Sequence, residues 1–307
     1  MFVKRESLVQ NMAYMGIMAA INIIFAIIVA FVPVLSIFLM LILPLTSAIV
    51  TIFCKEKYYI IYALATIGLS LTATLFNIQT TIFYIVPSIL TGFCFGMMIK
   101  YRINTIWVLI TTAIIQTVCT LATIPLINLL FDTDIILFFK TVFRVDTYVY
   151  IDIIIPSVVF FMSLTQMLFS YIMIASEIRK FDYSFAHRKV SSFWTAIYII
   201  SSIAICAIFA FFFVQYAYVF LVISYYFLAF LIASFIQRKY KWAIILSGIA
   251  LLGSMILFGL FYNLLGNPYG LLLFGIFPAI VSIIALCNSL LKKELIKDRI
   301  NNIKAGN

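Results

Sequence analysis

The chain is 307 residues long, 66% hydrophobic and only 10% charged, where a soluble domain carries about 25% charged residues. So few charges cannot clothe a water-facing surface, and most of the chain belongs in lipid. The net charge of +10 lies in short loops between apolar stretches, which argues for the lipid bilayer and against nucleic acid as the surroundings of these cations.

A span needs about 20 apolar residues. By that rule the sequence predicts an all-α, polytopic integral membrane protein of about ten transmembrane helices. They fall at residues 8–31, 34–53, 58–76, 82–99, 105–130, 149–176, 193–214, 218–237, 242–261 and 269–291. The stretch from Met15 to Asn104 sets the pattern. It is almost unbroken hydrocarbon, cut by Pro33, by the loop Lys55-Glu56-Lys57 and by the polar run Asn77 to Thr81. The first apolar run is too long for a cleavable signal peptide and lacks a small-residue cleavage site.

Basic residues mark cytoplasmic loops. Lys4 and Arg5 precede the first span; Lys55 and Lys57 follow the second, and Lys100 and Arg102 the fourth. Arg179, Lys180, Arg188 and Lys189 follow the sixth, Arg238, Lys239 and Lys241 the eighth, and the tail holds five more. Lys140 and Arg144 alone lie elsewhere. This alternation predicts a multi-pass protein of the cell membrane with both termini cytoplasmic. Of the opposite loops the longest, 131–148, carries Asp132, Asp134 and Asp146, and its IILFFKTVF run suits a short helix along the membrane surface. The basic loop 177–192 divides a six-helix half, residues 1–180, from a four-helix half, 181–307, that ends in a cytoplasmic tail.

Chemistry-bearing residues are sparse. Five scattered cysteines form no C-x-x-C pair, and His187 is the one histidine; neither a disulfide framework nor a metal site is expected. No G-x-x-x-x-G-K-[ST] loop, H-E-x-x-H or G-x-S-x-G appears, so no ATPase or hydrolase chemistry and no cofactor are expected of this chain. Gly16 and Ala20 in the first span, and Gly92 and Gly96 in the fourth, are small pairs four apart. Such a strip lets another helix approach closely, inside the chain or from a partner. Asn22, Gln116 and Gln166 sit near mid-span and are expected to face the bundle interior, where interhelical hydrogen bonding is the plain reading. Pro87, Pro125 and Pro156 lie toward the outer ends of the fourth to sixth spans. Their kinks either shape the bundle or open backbone carbonyls to a cavity.

MGIMAAINIIFAIIVAFVPVLSIFLMLILPLTSAIV and PSILTGFCFGMMIKYR resemble the YybS-like bacterial membrane proteins of unknown function. The first half of that family is similar to the substrate-binding S components of energy-coupling-factor transporters. The resemblance covers about the first 180 residues. It implies that Gly16 and Ala20 dock on a membrane coupling subunit, itself driven by ATPases. It also implies that a small-molecule nutrient, not identifiable from the residues, is held near the outer surface by Pro33, Asn77, Gln79, Tyr84, Asn128 and Asp152. The expected function is therefore capture of that nutrient for a separate ATP-driven module. The alternative is a non-transporting membrane scaffold or assembly factor. The two are separated by whether an enclosed outer cavity with converging polar groups exists.

Overall fold

The computed structural model describes residues 7–32, 36–132, 134, 136–137, 140–141, 151–179, 191–265 and 269–289. The helices are α1 (Leu8–Phe31), α2 (Ser36–Phe53), α3 (Tyr59–Ala73), α4 (Ile78–Lys100), α5 (Thr105–Phe131), α6 (Ile151–Arg179), α7 (Ser192–Phe212), α8 (Val214–Gln237) and α9 (Lys241–Leu265). A 3-10 turn, Tyr269–Gly275, then leads into α10 (residues 276–289). There is no strand among the described residues. Eight helices among them are long and apolar enough to cross a membrane. The other two, α2 with 18 residues and α3 with 15, are shorter than the ~20 of an ordinary span. The protein is thus an all-α, multi-pass membrane protein.

Two turns differ from expectation. The polar run Asn77 to Thr81 is no loop: α4 already starts at Ile78. The two ends of the run are bonded internally, Thr81 sharing a hydrogen bond with Thr74 and Asn77 donating from Nδ2 to the Ala30 carbonyl at 3.3 Å. With Asn77 and Thr81 paired, the helix can begin inside the polar run. Likewise, α7 and α8 are separated by Phe213 alone (φ −148°, ψ 75°), so that α8 starts at Val214, four residues before its expected start. The expected surface helix in loop 131–148 lies mostly outside the described residues. Within them Asp134 accepts the Leu137 amide at 3.0 Å, an N-cap contact. The loop and the tail expected on the cytoplasmic side, residues 180–190 and 290–307, also fall outside.

The chain divides into two compact units: Met1–Thr147 with Val158–Arg188, and Tyr148–Ser157 with Lys189–Asn307. The expected division at 180 and 181 keeps α6 whole, whereas these contacts group its first turns with the second unit. In the first unit α2 and α4 approach closely, and small residues make that approach possible. A Cβ built on Gly92 would lie 2.5 Å from Ser47 Cβ and 2.7 Å from the Pro44 carbonyl oxygen. One on Gly96 would lie 2.6 Å from Thr51 Cβ and 2.7 Å from the Ala48 carbonyl oxygen. The second small pair is therefore internal packing. In the second unit, α7 and α8 form an antiparallel hairpin tied by a 3.1 Å Ser192–Ser234 hydroxyl contact. The Tyr225 hydroxyl donates to the Phe274 carbonyl at 3.0 Å.

Candidate functional site

In lipid an unpaired polar side chain is costly, so buried polar groups show where helices must meet. Asn22, 1% exposed, is the hub of the first unit. Its Nδ2 donates to the Tyr62 hydroxyl at 2.9 Å, and its Oδ1 accepts from Thr46 at 2.6 Å. One amide thus joins α1, α2 and α3, and the Ser47 hydroxyl stands 3.5 Å from that of Tyr62. Beside it, the Tyr59 hydroxyl donates to the Ile89 carbonyl of α4 at 2.7 Å. Farther round, Gln116 of α5 accepts from Thr91 of α4 at 2.5 Å. The two mid-span amides are interhelical fasteners, and Gln166 is likewise buried.

The partners of Asn22 were not singled out in the sequence, yet α3 carried a signal for them. Tyr59, Tyr62, Thr66, Ser70 and Thr74 recur at helical spacing and are all buried. The opposite side of α3, with Ile60 and Leu64, is exposed as a lipid-facing surface would be.

The expected binding residues are distributed as follows. Pro33 lies outside the described residues. Asn77, Gln79 and Tyr84, all half-buried, share the N-terminal end of α4. Asn128, also half-buried, lies near the C-terminal end of α5. Because α4 and α5 are antiparallel neighbours, that is the same end of the first unit. Asp152 is exposed, in the first turn of α6, where the helix dipole favours an acid; it belongs to the second unit. Asn77 is anchored on Ala30, and Tyr84 stands edge-on to Phe83 with centroids 4.9 Å apart.

Tyr84 also lines a crevice between α1, α2 and α4, with Ala26, Val29, Leu43, Thr81 and Ile85. It has no room for even a water molecule. Small-molecule sites run to about 300–1,000 Å³, so this crevice as it stands is a packing seam.

The strip on α1 differs from that on α4. Gly16 and Ala20 are both exposed, and a Cβ on Gly16 would meet nothing within 4 Å. Ala13 continues the same open stripe, while Met15, Ala19, Asn22 and Ala26 face inward. No set of three or more His, Cys, Asp or Glu able to hold a metal occurs among the described residues. Comparison with known protein families, curated proteins and solved structures returns no match.

Proposed function

We propose that the chain is a membrane substrate-binding subunit of energy-coupling-factor type, capturing a small nutrient outside the cell for a separate ATP-driven module. The observation that supports this reading most is the open small-residue face of α1. Of two small pairs, Gly92 and Gly96 are filled by α2, whereas among the described residues nothing covers Gly16 and Ala20. A strip of that kind suits close approach by a helix of another subunit. In this reading all ten helices cross the membrane, the basic loops and both termini face the cytoplasm, and Asn77, Gln79, Tyr84 and Asn128 lie at the outer end of the first unit. Ligand entry then requires α1, α2 and α4 to part along the crevice beside Tyr84.

The narrowness of that crevice favours the second reading, a membrane scaffold that docks through the same face and carries no ligand. Native purification with mass spectrometry of bound small molecules and co-purifying subunits tests both. Transport predicts a bound nutrient and an ATPase-linked membrane partner, both absent in a scaffold. Gly16→Leu with Ala20→Leu should remove the membrane partner while leaving the detergent melting curve unchanged. A partner retained by that variant refutes docking through α1.

A further inference from the structure

Three non-glycine residues among those described have a left-handed backbone: Arg102 (φ 55°), Asp132 (φ 50°) and Lys239 (φ 56°). Short acids tolerate this region, but long basic side chains are disfavoured there. The two basic ones occupy matching places. After α4 the Arg102 amide donates to the Ile99 carbonyl at 2.9 Å, and the Ile103 amide to Met98 at 3.0 Å. After α8 the Lys239 amide donates to Ile236 at 3.1 Å, and the Tyr240 amide to Phe235 at 3.0 Å. Both are helix caps of the kind that ordinarily ends in glycine. Here an exposed cation stands in its place.

A second regularity accompanies the first. The helix after each cap carries a tryptophan in its first turn: Trp107 in α5, 40% exposed, and Trp242 in α9, 79% exposed. The chain's one remaining tryptophan, Trp194, opens α7 and is 54% exposed. Within the second unit it shares an end with Trp242, because Ser192 meets Ser234 across the α7–α8 hairpin. Exposed tryptophan beside exposed cations belongs at headgroup level. No acid interrupts residues 98–107 or 236–244. In contrast, the left-handed residue at the far end of α5 is the acid Asp132.

We propose that each of these two turns is a site for an anionic phospholipid headgroup. The left-handed Arg102 or Lys239 takes the phosphate, as a guanidinium fork in the first case and a point charge in the second. The adjoining tryptophan packs at glycerol depth. Arg238 and Lys241 flank Lys239 and add to the preference for a net negative lipid over a zwitterionic one. The inference rests on the membrane character of the chain and not on its role in transport.

The test is quenching of tryptophan fluorescence by acyl-brominated lipids in the reconstituted full chain. Trp194→Phe with Trp242→Phe leaves Trp107 as reporter; Trp107→Phe with Trp194→Phe leaves Trp242. Each reporter should be quenched preferentially by brominated phosphatidylglycerol over brominated phosphatidylcholine. Arg102→Gly, which eases the backbone while removing the charge, should lower that preference about fivefold at Trp107, the share of one basic residue near an anionic surface. Arg102→Lys should keep it. Lys239→Gly should act in the same way at Trp242 and leave Trp107 unaffected. Equal quenching by the two lipids in the parent chain, or an unchanged preference in the glycine variants, overturns the proposal.

Discussion

Gly92→Ala is the sharpest test of how the first unit is packed. The added methyl would sit 2.5 Å from Ser47 Cβ, 2.7 Å from the Pro44 carbonyl oxygen and 3.2 Å from the Ala48 nitrogen. Carbon atoms rest at about 3.5–4.0 Å, so α2 and α4 must separate by about 1 Å. Two of the three obstructing atoms are backbone, and no rotamer change relieves them. Nor is α2 free to slide, because Thr46 is bonded to Asn22. Overpacking of this kind costs about 1–3 kcal/mol, and a strained interhelical hydrogen bond in a membrane adds about 0.6. Alanine's better helix propensity returns up to about 1 kcal/mol, for a net loss of about 1–3 kcal/mol. A thiol-reactive fluorophore followed during heating in detergent reads this loss, since Cys54 at the end of α2 is 2% exposed and reacts once α2 detaches. Gly92→Ala should melt well below the parent, with Ser47→Gly in addition recovering only part of the loss. Gly68→Ala and Gly248→Ala, where the new methyl meets nothing within 4 Å, should match or exceed the parent. A Gly92→Ala protein as stable as the parent would mean that α2 and α4 are not in tight contact.

Three further outcomes are expected. Tyr62→Phe leaves Asn22 Nδ2 buried without its acceptor and should lower stability by about 1–3 kcal/mol in the same melting assay. Combining it with Asn22→Leu and Thr46→Val, which removes the whole cluster, should cost less than the sum of the single changes, measured as a multi-mutant cycle. The Lys100–Glu56 pair is partly solvent-exposed, so Glu56→Gln should shift stability by less than about 1 kcal/mol. A cysteine at Asp134 should be labelled by an impermeant maleimide from outside the cell and one at Arg188 should not; the reverse pattern would invert the proposed topology.

Much of this architecture is legible in the sequence, because in lipid a span is defined by length and hydropathy. The eight long helices stand out for that reason, as do Asn22 and Gln116, costly amides in a hydrocarbon setting. What the sequence leaves open is the rotation of each helix about its axis. A membrane helix is apolar on its packed face and its lipid face alike, so the hydrophobic periodicity that orients a soluble helix is weak. Gly16 and Gly92 look equivalent as letters, and only the packing of α2 against α4 separates them. The same ambiguity hides Thr46, Tyr62 and Thr91, hydroxyl residues that a span tolerates on any side. Pairing of polar groups across a turn also hid the early start of α4, since Asn77 to Thr81 reads as a solvated loop until Thr81 is seen bonded to Thr74 and Asn77 to Ala30. For the binding residues, the sequence marks an end of a span but not a cavity.

The Asn22 hub has a consequence for biogenesis. Helices leave the ribosome in order, and α1 reaches the bilayer with a mid-span amide that nothing in α1 satisfies. Thr46 answers one side of it when α2 arrives, and Tyr62 answers the other only with α3. Gln116 is in a different position, because Thr91 on the preceding helix is already present when α5 enters. The first three helices therefore have reason to wait beside the insertion machinery and pass into lipid together, whereas α5 can join one helix at a time.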